Sequence, residues 1–401
     1  MKKLVIAGGG FAGMWAAMVA AREVALANGA VSITLVSRDA FLTVRPRLYE
    51  AFGEHLRAPL ASTLGPLGVA IETAEIAAID TTARHLTVQT TNGAKVLSYD
   101  RLVLATGSQQ RPLAVSGAAE FALNIDTFAG AGAFDEALRQ RLAATPVGHE
   151  FSVVVIGGGF TGIELATEMR RRIAQHAGAE HAASARITLL ERASVVGPEL
   201  GAGPREVIEA ALRDGKVEVR LGCSLNAIDA NGVVLQNGER VPASMVVVTT
   251  GLQAESLAPA LPGEHDALGR ALVDEHLRVR AVPEVFAAGD VAHALTDPEH
   301  AALMSCQHAV PMGKHAGYNA ARELLGLPLR TYRQPGYVTC LDLGDYGAVL
   351  TVGWDRKVEQ FGPDVKALKH TINQQWIYPP TGSREALLVA SDIDAPWPPE
   401  T

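Results

Sequence analysis

An α/β fold with two similar halves and a smaller α+β C-terminal domain is predicted by three features of this 401-residue chain. First, the turns Gly8-Gly9-Gly10-Phe11-Ala12-Gly13 and Gly157-Gly158-Gly159-Phe160-Thr161-Gly162 each follow a short β-branched apolar run and open into a helix-like pattern. Second, the strand-like runs Leu102 to Gly107 and Met245 to Gly251 repeat one another, both ending in Thr-Gly. Third, a hairpin pattern follows each glycine turn before that run arrives. Turns of this kind are Rossmann-like, with backbone N–H groups at a helix start forming a cradle for a dinucleotide pyrophosphate. Two cradles in one chain suggest electron transfer between two dinucleotides.

The elements follow in order. Residues 2–7 read as a strand, 11–27 as a helix and 31–37 as a second strand, a βαβ unit. Gly8 permits the tight turn, Gly10 lets N–H groups approach phosphate, and Gly13 lets helix and strand pack closely; Gly157, Gly159 and Gly162 repeat these roles. Residues 41–50 read as a loop that enters a helix. Strands are predicted at 70–80, 85–89 and 95–99, with Thr90-Thr91-Asn92-Gly93 as a turn, and a buried strand at 101–105. The second βαβ unit spans 151–191, followed by strands at 217–221, 227–229 and 233–235 and a turn at Asn237-Gly238. Val285 to Asp290 is a further strand and turn, and a helix rich in small residues runs from His308 to Leu325. Beyond Pro328 the chain becomes aromatic and strand-like, and the Pro/Trp-rich end, 395–401, reads as poorly ordered. The resulting division is 1–112, 113–240, 241–325 and 326–401, with the first and third segments forming one domain.

Composition narrows the classes. A formal charge of −8 and the lack of basic clusters beyond Arg170-Arg171-Arg172 speak against nucleic acid as a partner. Cys223, Cys306 and Cys340 are widely spaced and form neither CxxC nor a zinc pattern, so no metal is predicted and free thiols in a reducing compartment are. Lys2-Lys3 precede an apolar run too short for a signal peptide, and no stretch is long enough to span a bilayer. A cytoplasmic protein is the expectation.

The two fingerprints, Ala105-Thr106-Gly107, Thr250-Gly251 and Ala287-Ala288-Gly289-Asp290, in this order over most of 1–325, resemble the two-dinucleotide-binding flavoproteins, which include glutathione reductase, ferredoxin reductases and type II NADH dehydrogenases. The resemblance implies FAD on Gly8, Gly10, Phe11, Ala12 and Gly13, with Ala105, Thr106, Gly107, Gly289 and Asp290 closing that site. It implies a pyridine nucleotide on Gly157, Gly159, Phe160, Thr161 and Gly162, near Gly251. Arg45-Pro46-Arg47-Leu48-Tyr49-Glu50 and Gly159-Phe160-Thr161-Gly162-Ile163-Glu164 are similar to segments of type II NADH dehydrogenases, so Arg45 and Pro46 fall beside the flavin. Glu164 falls between nicotinamide and flavin; its plainer reading is an acid stabilising a helix start. The residue ending the second strand of each unit reads the adenosine ribose. After the second fingerprint it is Glu191, which favours NADH over NADPH, although Arg192 keeps NADPH open. After the first it is Ser37, followed by Arg38, where the family usually has an acid.

The acceptor is read last. No CxxxxC pair occurs in 41–50, which argues against disulfide chemistry, and Cys306 and Cys340 read as buried thiols rather than sulfide-oxidising ones. Met304-Ser305-Cys306-Gln307-His308-Ala309 is similar to the segment lining a quinone pocket, which implies Gln307 near the flavin; His308 reads either as a proton shuttle or as a satisfied helix residue. Lys366 and Lys369 read as a solvated face, with a flavin-side lysine as the alternative. The prolines and acids near the C-terminus speak against the peripheral membrane helices of the family. The reading is thus an FAD-dependent NAD(P)H oxidoreductase with a quinone-like or other small acceptor, with a homodimer left open. The alternatives are a soluble reductase for a protein such as ferredoxin and a slow flavin/NADH sensor.

Overall fold

The computed structural model describes residues 1–334 and 336–395. In the first unit β1 (Lys2–Ala7), α1 (Phe11–Leu26), β2 (Val31–Ser37), β3 (Ala70–Thr73) and β4 (Arg101–Leu104) follow one another. The second unit holds β5 (Ala122–Asn124), β6 (Ser152–Ile156), α2 (Phe160–Ser184), β7 (Arg186–Leu190), β8 (Val217–Arg220) and β9 (Met245–Val248). After these come β10 (Val285–Ala287), α3 (Cys306–Leu325), β11 (Val338–Asp342), β12 (Ala348–Val352), β13 (Lys357–Gly362), α4 (Pro363–Thr371) and α5 (Arg384–Ala390).

Two parallel sheets result, ordered β10-β4-β1-β2-β3 and β5-β9-β6-β7-β8. In each, the strand before the glycine turn is central, and the chain departs to one side and returns on the other. The carboxyl end of that strand is therefore a topological switch point, where an open α/β sheet leaves a crevice for ligands.

Leu4 to Ala7 and Val153 to Ile156 are buried on both faces, which explains why these runs do not alternate with polar residues. Helix α1 is apolar nearly all round because it lies between the sheet and α3. Small residues make that sandwich close: a Cβ on Gly313 or Gly317 would strike the carbonyls of Ala12 or Ala16. Met14 and Met18, both fully buried, contribute about 1.5–3 kcal/mol each.

Two expectations need correction. The boundary at 240 falls inside the second unit, because Met245 to Val248 pair with Val153 to Ile156 in the second sheet. Residues 41–50 form a short strand, Phe41–Thr43, and one 3₁₀ turn, Arg45–Arg47, instead of entering a helix. There Arg45 turns to Asp126 and Arg47 to Glu50, so ion pairs rather than a helical ladder fix the segment. The C-terminal domain is α+β as expected, a three-stranded antiparallel sheet, β11-β12-β13, followed by helices.

The last described residues return to the first unit. Lys314 Nζ donates to the Ala395 carbonyl at 3.0 Å, and Arg22 pairs with Asp392 at 2.6 Å. Residues 396–401, most of the end read as poorly ordered, lie outside the described residues.

Candidate active site

The backbone repeats itself at the two turns. Gly8 has φ 117° and Gly157 φ 107°, a region that side chains disfavour, and a Cβ on either would press into the carbonyl of Ala105 or Thr249. A Cβ on Gly13 or Gly162 would strike the carbonyl of Gly8 or Gly157, so strand and helix touch there in both units. Gly10 and Gly159 start α1 and α2 without a side-chain cap, and the first helical bonds are Met14 N–H to Gly10 and Ile163 N–H to Gly159. The remaining N–H groups of the first turn of each helix have no partner within the helix, which is the condition for binding an anion.

Around the first turn the fold gathers most of the residues assigned to it. Ala105 is buried against Gly8, Thr106 Oγ1 is buried with no hydrogen-bond partner among the described residues, and Gly107 has φ 79°. Gly289, at φ 73°, fits between Ala12 and Ala309, so the turn bearing Asp290 lies where α1 and α3 begin. Asp290 accepts 2.6 Å from Ser108 Oγ, and Arg45 lies 3.8 Å away while pairing with Asp126 at 2.5 Å. Burial raises the Asp290 carboxyl above the usual range, with Arg45 and Ser108 opposing that rise. Phe11 and Ala12 are buried at the helix start, Ser37 abuts Gly9, Pro46 opens the 3₁₀ turn with Arg45, and Arg38 is exposed. Nothing would obstruct a Cβ on Gly10 within 4 Å, so open space faces the uncapped helix. These groups fit FAD: N–H donors for its pyrophosphate, and an orphan hydroxyl with a carboxylate for its polyol.

The second turn differs in what surrounds it. Glu191 accepts from Gly158 N–H and Ala193 N–H, each at 2.7 Å, while Glu199 accepts from Phe160 N–H at 3.3 Å. Thr161 follows Phe160 in the first turn of α2, and Gly251, at φ 82°, accepts from Arg111 N–H at 3.0 Å. The shape fits a second dinucleotide.

Glu164 stands beyond the first turn of α2, and it is buried. Its carboxylate pairs with Lys369 Nζ at 2.9 Å and accepts from Asp342 N–H at 3.1 Å. Lys369 is 7% exposed and also donates to the Cys340 carbonyl at 2.9 Å, while Lys366 pairs with Asp342 at 2.5 Å. The solvated-face reading of these lysines is thereby corrected: α4 turns both toward β11 and α2. Burial would lower the Lys369 pKa, but the Glu164 carboxylate outweighs it and raises the value, so the ammonium stays charged. Tyr49 OH donates to Asp342 at 2.9 Å, completing a buried polar group that joins the first unit, α2 and the C-terminal domain.

Cys306 starts α3, three residues before Ala309, which packs on Gly289 beside Asp290. Burial pushes the Cys306 and Cys340 thiols up to about 11, which leaves them protonated and unreactive near neutral pH. Gln307 is the second residue of α3, and its carbonyl accepts from Gln334 at 3.0 Å. His308 is fully buried, with Nδ1 3.0 Å from Gln334 Oε1, and burial lowers its pKa. Tyr49 lies within the quoted segment 45–50 without a role assigned to it, whereas Asp126, Asp342 and Glu199 escaped the sequence reading. Each is an ordinary residue type outside any motif, and its partner lies far away in the chain.

A family model for pyridine nucleotide-disulphide oxidoreductases matches residues 2–313, the span that holds both turns and Asp290. The chain belongs to this family. An NADH dehydrogenase-like protein of Mycobacterium tuberculosis is 46% identical over 396 residues, covering 98% of each sequence. A demethylphylloquinone reductase of Synechocystis is 27% identical, over 87% of this chain and 86% of its own. Among solved structures, NDH2 from Plasmodium falciparum in complex with NADH shares the fold, with a TM-score of 0.77 at 13% identity and 97% coverage of both chains. Family membership makes this chain an oxidoreductase that works with FAD and NADH. No helix among the described residues is long and apolar enough to cross a membrane.

Proposed function

We propose that the chain oxidises NADH at the second turn, holds FAD at the first, and passes the electrons to a quinone-like small acceptor. The observation that carries this reading is the buried Glu164–Lys369 pair, which ties the nucleotide-side helix α2 to the C-terminal domain, while Tyr49 bonds to Asp342 in the same group and Arg45, four residues earlier, approaches Asp290. When bound, the two cofactors supply hydride transfer from nicotinamide to the flavin. The chain's own work is alignment and exclusion of water. Gly8, Gly10 and Gly13 place the FAD pyrophosphate on α1, and Asp290, Ser108 and Arg45 hold its polyol side. Gly157, Gly159 and Gly162 place the nucleotide on α2, with Glu191 on the adenosine ribose. The charged Lys369, held by Glu164, would supply a fixed positive charge to the site, and Gln307 would offer an amide to the acceptor.

NADH is preferred over NADPH because the Glu191 carboxylate, already accepting two backbone N–H bonds, would repel a 2′-phosphate. The Synechocystis relative, named for a quinone substrate, supports a quinone-like acceptor. The test is purification with flavin followed by anaerobic NADH titration and an acceptor screen. Rapid flavin reduction with saturable turnover on a soluble quinone is the expected result. Turnover with ferredoxin alone, or flavin that stays reduced with every acceptor, would overturn it.

A further inference from the structure

Glu199 is unused by the function proposed above, yet it stands in front of the second glycine turn. Its Oε1 accepts from Phe160 N–H at 3.3 Å, at the start of α2, and a Cβ on Gly159 would land on that oxygen. The equivalent construction on Gly10 meets nothing within 4 Å. Glu199 is brought there by the 3₁₀ turn Pro198–Leu200, whose preceding residue Gly197 donates its N–H to the Gly158 carbonyl at 2.9 Å and whose Leu200 side chain is buried. The carboxylate thus occupies the position and the donor that a phosphate would take.

We propose that Glu199 is a resident anion which competes with nucleotide phosphate for the N-terminus of α2 and keeps the pyridine nucleotide exchangeable. This rests on the assignment of the second turn to NADH. Binding trades one anion for another on the same N–H, so the helix end contributes less net affinity than it does at the first turn. A cation adjoins for the displaced carboxylate: Arg356 lies over the Phe160 ring, 5.6 Å from its centre, with Nη1 buried and lacking a hydrogen-bond partner among the described residues. The same guanidinium lies over the Tyr337 ring, 5.2 Å from its centre. The consequence is an electron donor that comes and goes beside a flavin that stays.

The experiment is isothermal titration of FAD-loaded protein with ADP-ribose and with NADH, for the wild type, Glu199→Gln and Gly159→Val. Glu199→Gln is expected to bind both ligands about fivefold more tightly, a change equivalent to about 1 kcal/mol, with the KM for NADH falling in step. Unchanged or weaker binding by Glu199→Gln, while Gly159→Val abolishes binding, overturns the role of Glu199 and leaves the site assignment standing. Wild-type affinity in Gly159→Val, with flavin content intact, overturns the assignment itself.

Discussion

At the first turn Gly8 runs at φ 117° and Gly10 starts its helix at φ −76°, ψ −170°; at the second, Gly157 has φ 107° and Gly159 φ −82°, ψ −168°. The backbones are close to superposable, but the side chains around them diverge. Open space, an orphan hydroxyl and Arg45 surround the first, whereas Glu191 and Glu199 sit on the N–H groups of the second. The difference teaches that a fingerprint sets backbone geometry, while segments distant in the chain set the charge that faces it.

The largest effect separates the turns outright. Gly13→Ala forces a methyl onto the Gly8 carbonyl, an overpacking cost of about 3 kcal/mol, and should yield protein that has lost its flavin absorbance. Gly162→Ala makes the same collision at Gly157 and should keep flavin but lose reduction by NADH. Flavin lost equally from both variants would erase the distinction.

Next in size is the bridge from the second unit to the C-terminal domain. Lys369→Ala leaves Glu164 buried without its cation, and denaturant unfolding should show a loss of about 3 kcal/mol. A change within error would mean that the pair holds nothing together.

Smaller again is Glu191→Ala, which should narrow the kcat/KM preference for NADH over NADPH by about tenfold, or about 1.4 kcal/mol. An unchanged ratio would remove Glu191 from the ribose site.

A further effect, confined to alkaline pH, comes from the buried thiols Cys306 and Cys340. Cys306 and Cys340 are held near 11 by burial, above the value of about 9 in the unfolded chain. Unfolded thiols therefore lose protons first, and stability should decline from about pH 9 to pH 11 while staying flat with respect to these groups below 9. The Cys306→Ser, Cys340→Ser double variant should flatten that decline in a series of thermal melts; an equally steep one would assign it to other groups.

Both dinucleotide turns, both central strands and the family were legible in the sequence, because glycine spacing, β-branched runs and helix starts are local properties of neighbouring residues. Gly8, Gly13, Gly157 and Gly162 could be read directly, since the collisions they avoid lie within their own strand–turn–helix units. Asp290 was legible through its order in the chain. The buried pair of Glu164 with Lys369, the support of Asp342 by Tyr49 and Lys366, and the place of Glu199 before α2 were decided by tertiary structure alone. Their partners lie far off along the chain, and a carboxylate or ammonium has no sequence signature for burial. What buries it is the packing of three separate segments, and the electrostatics that follow exist only once they meet.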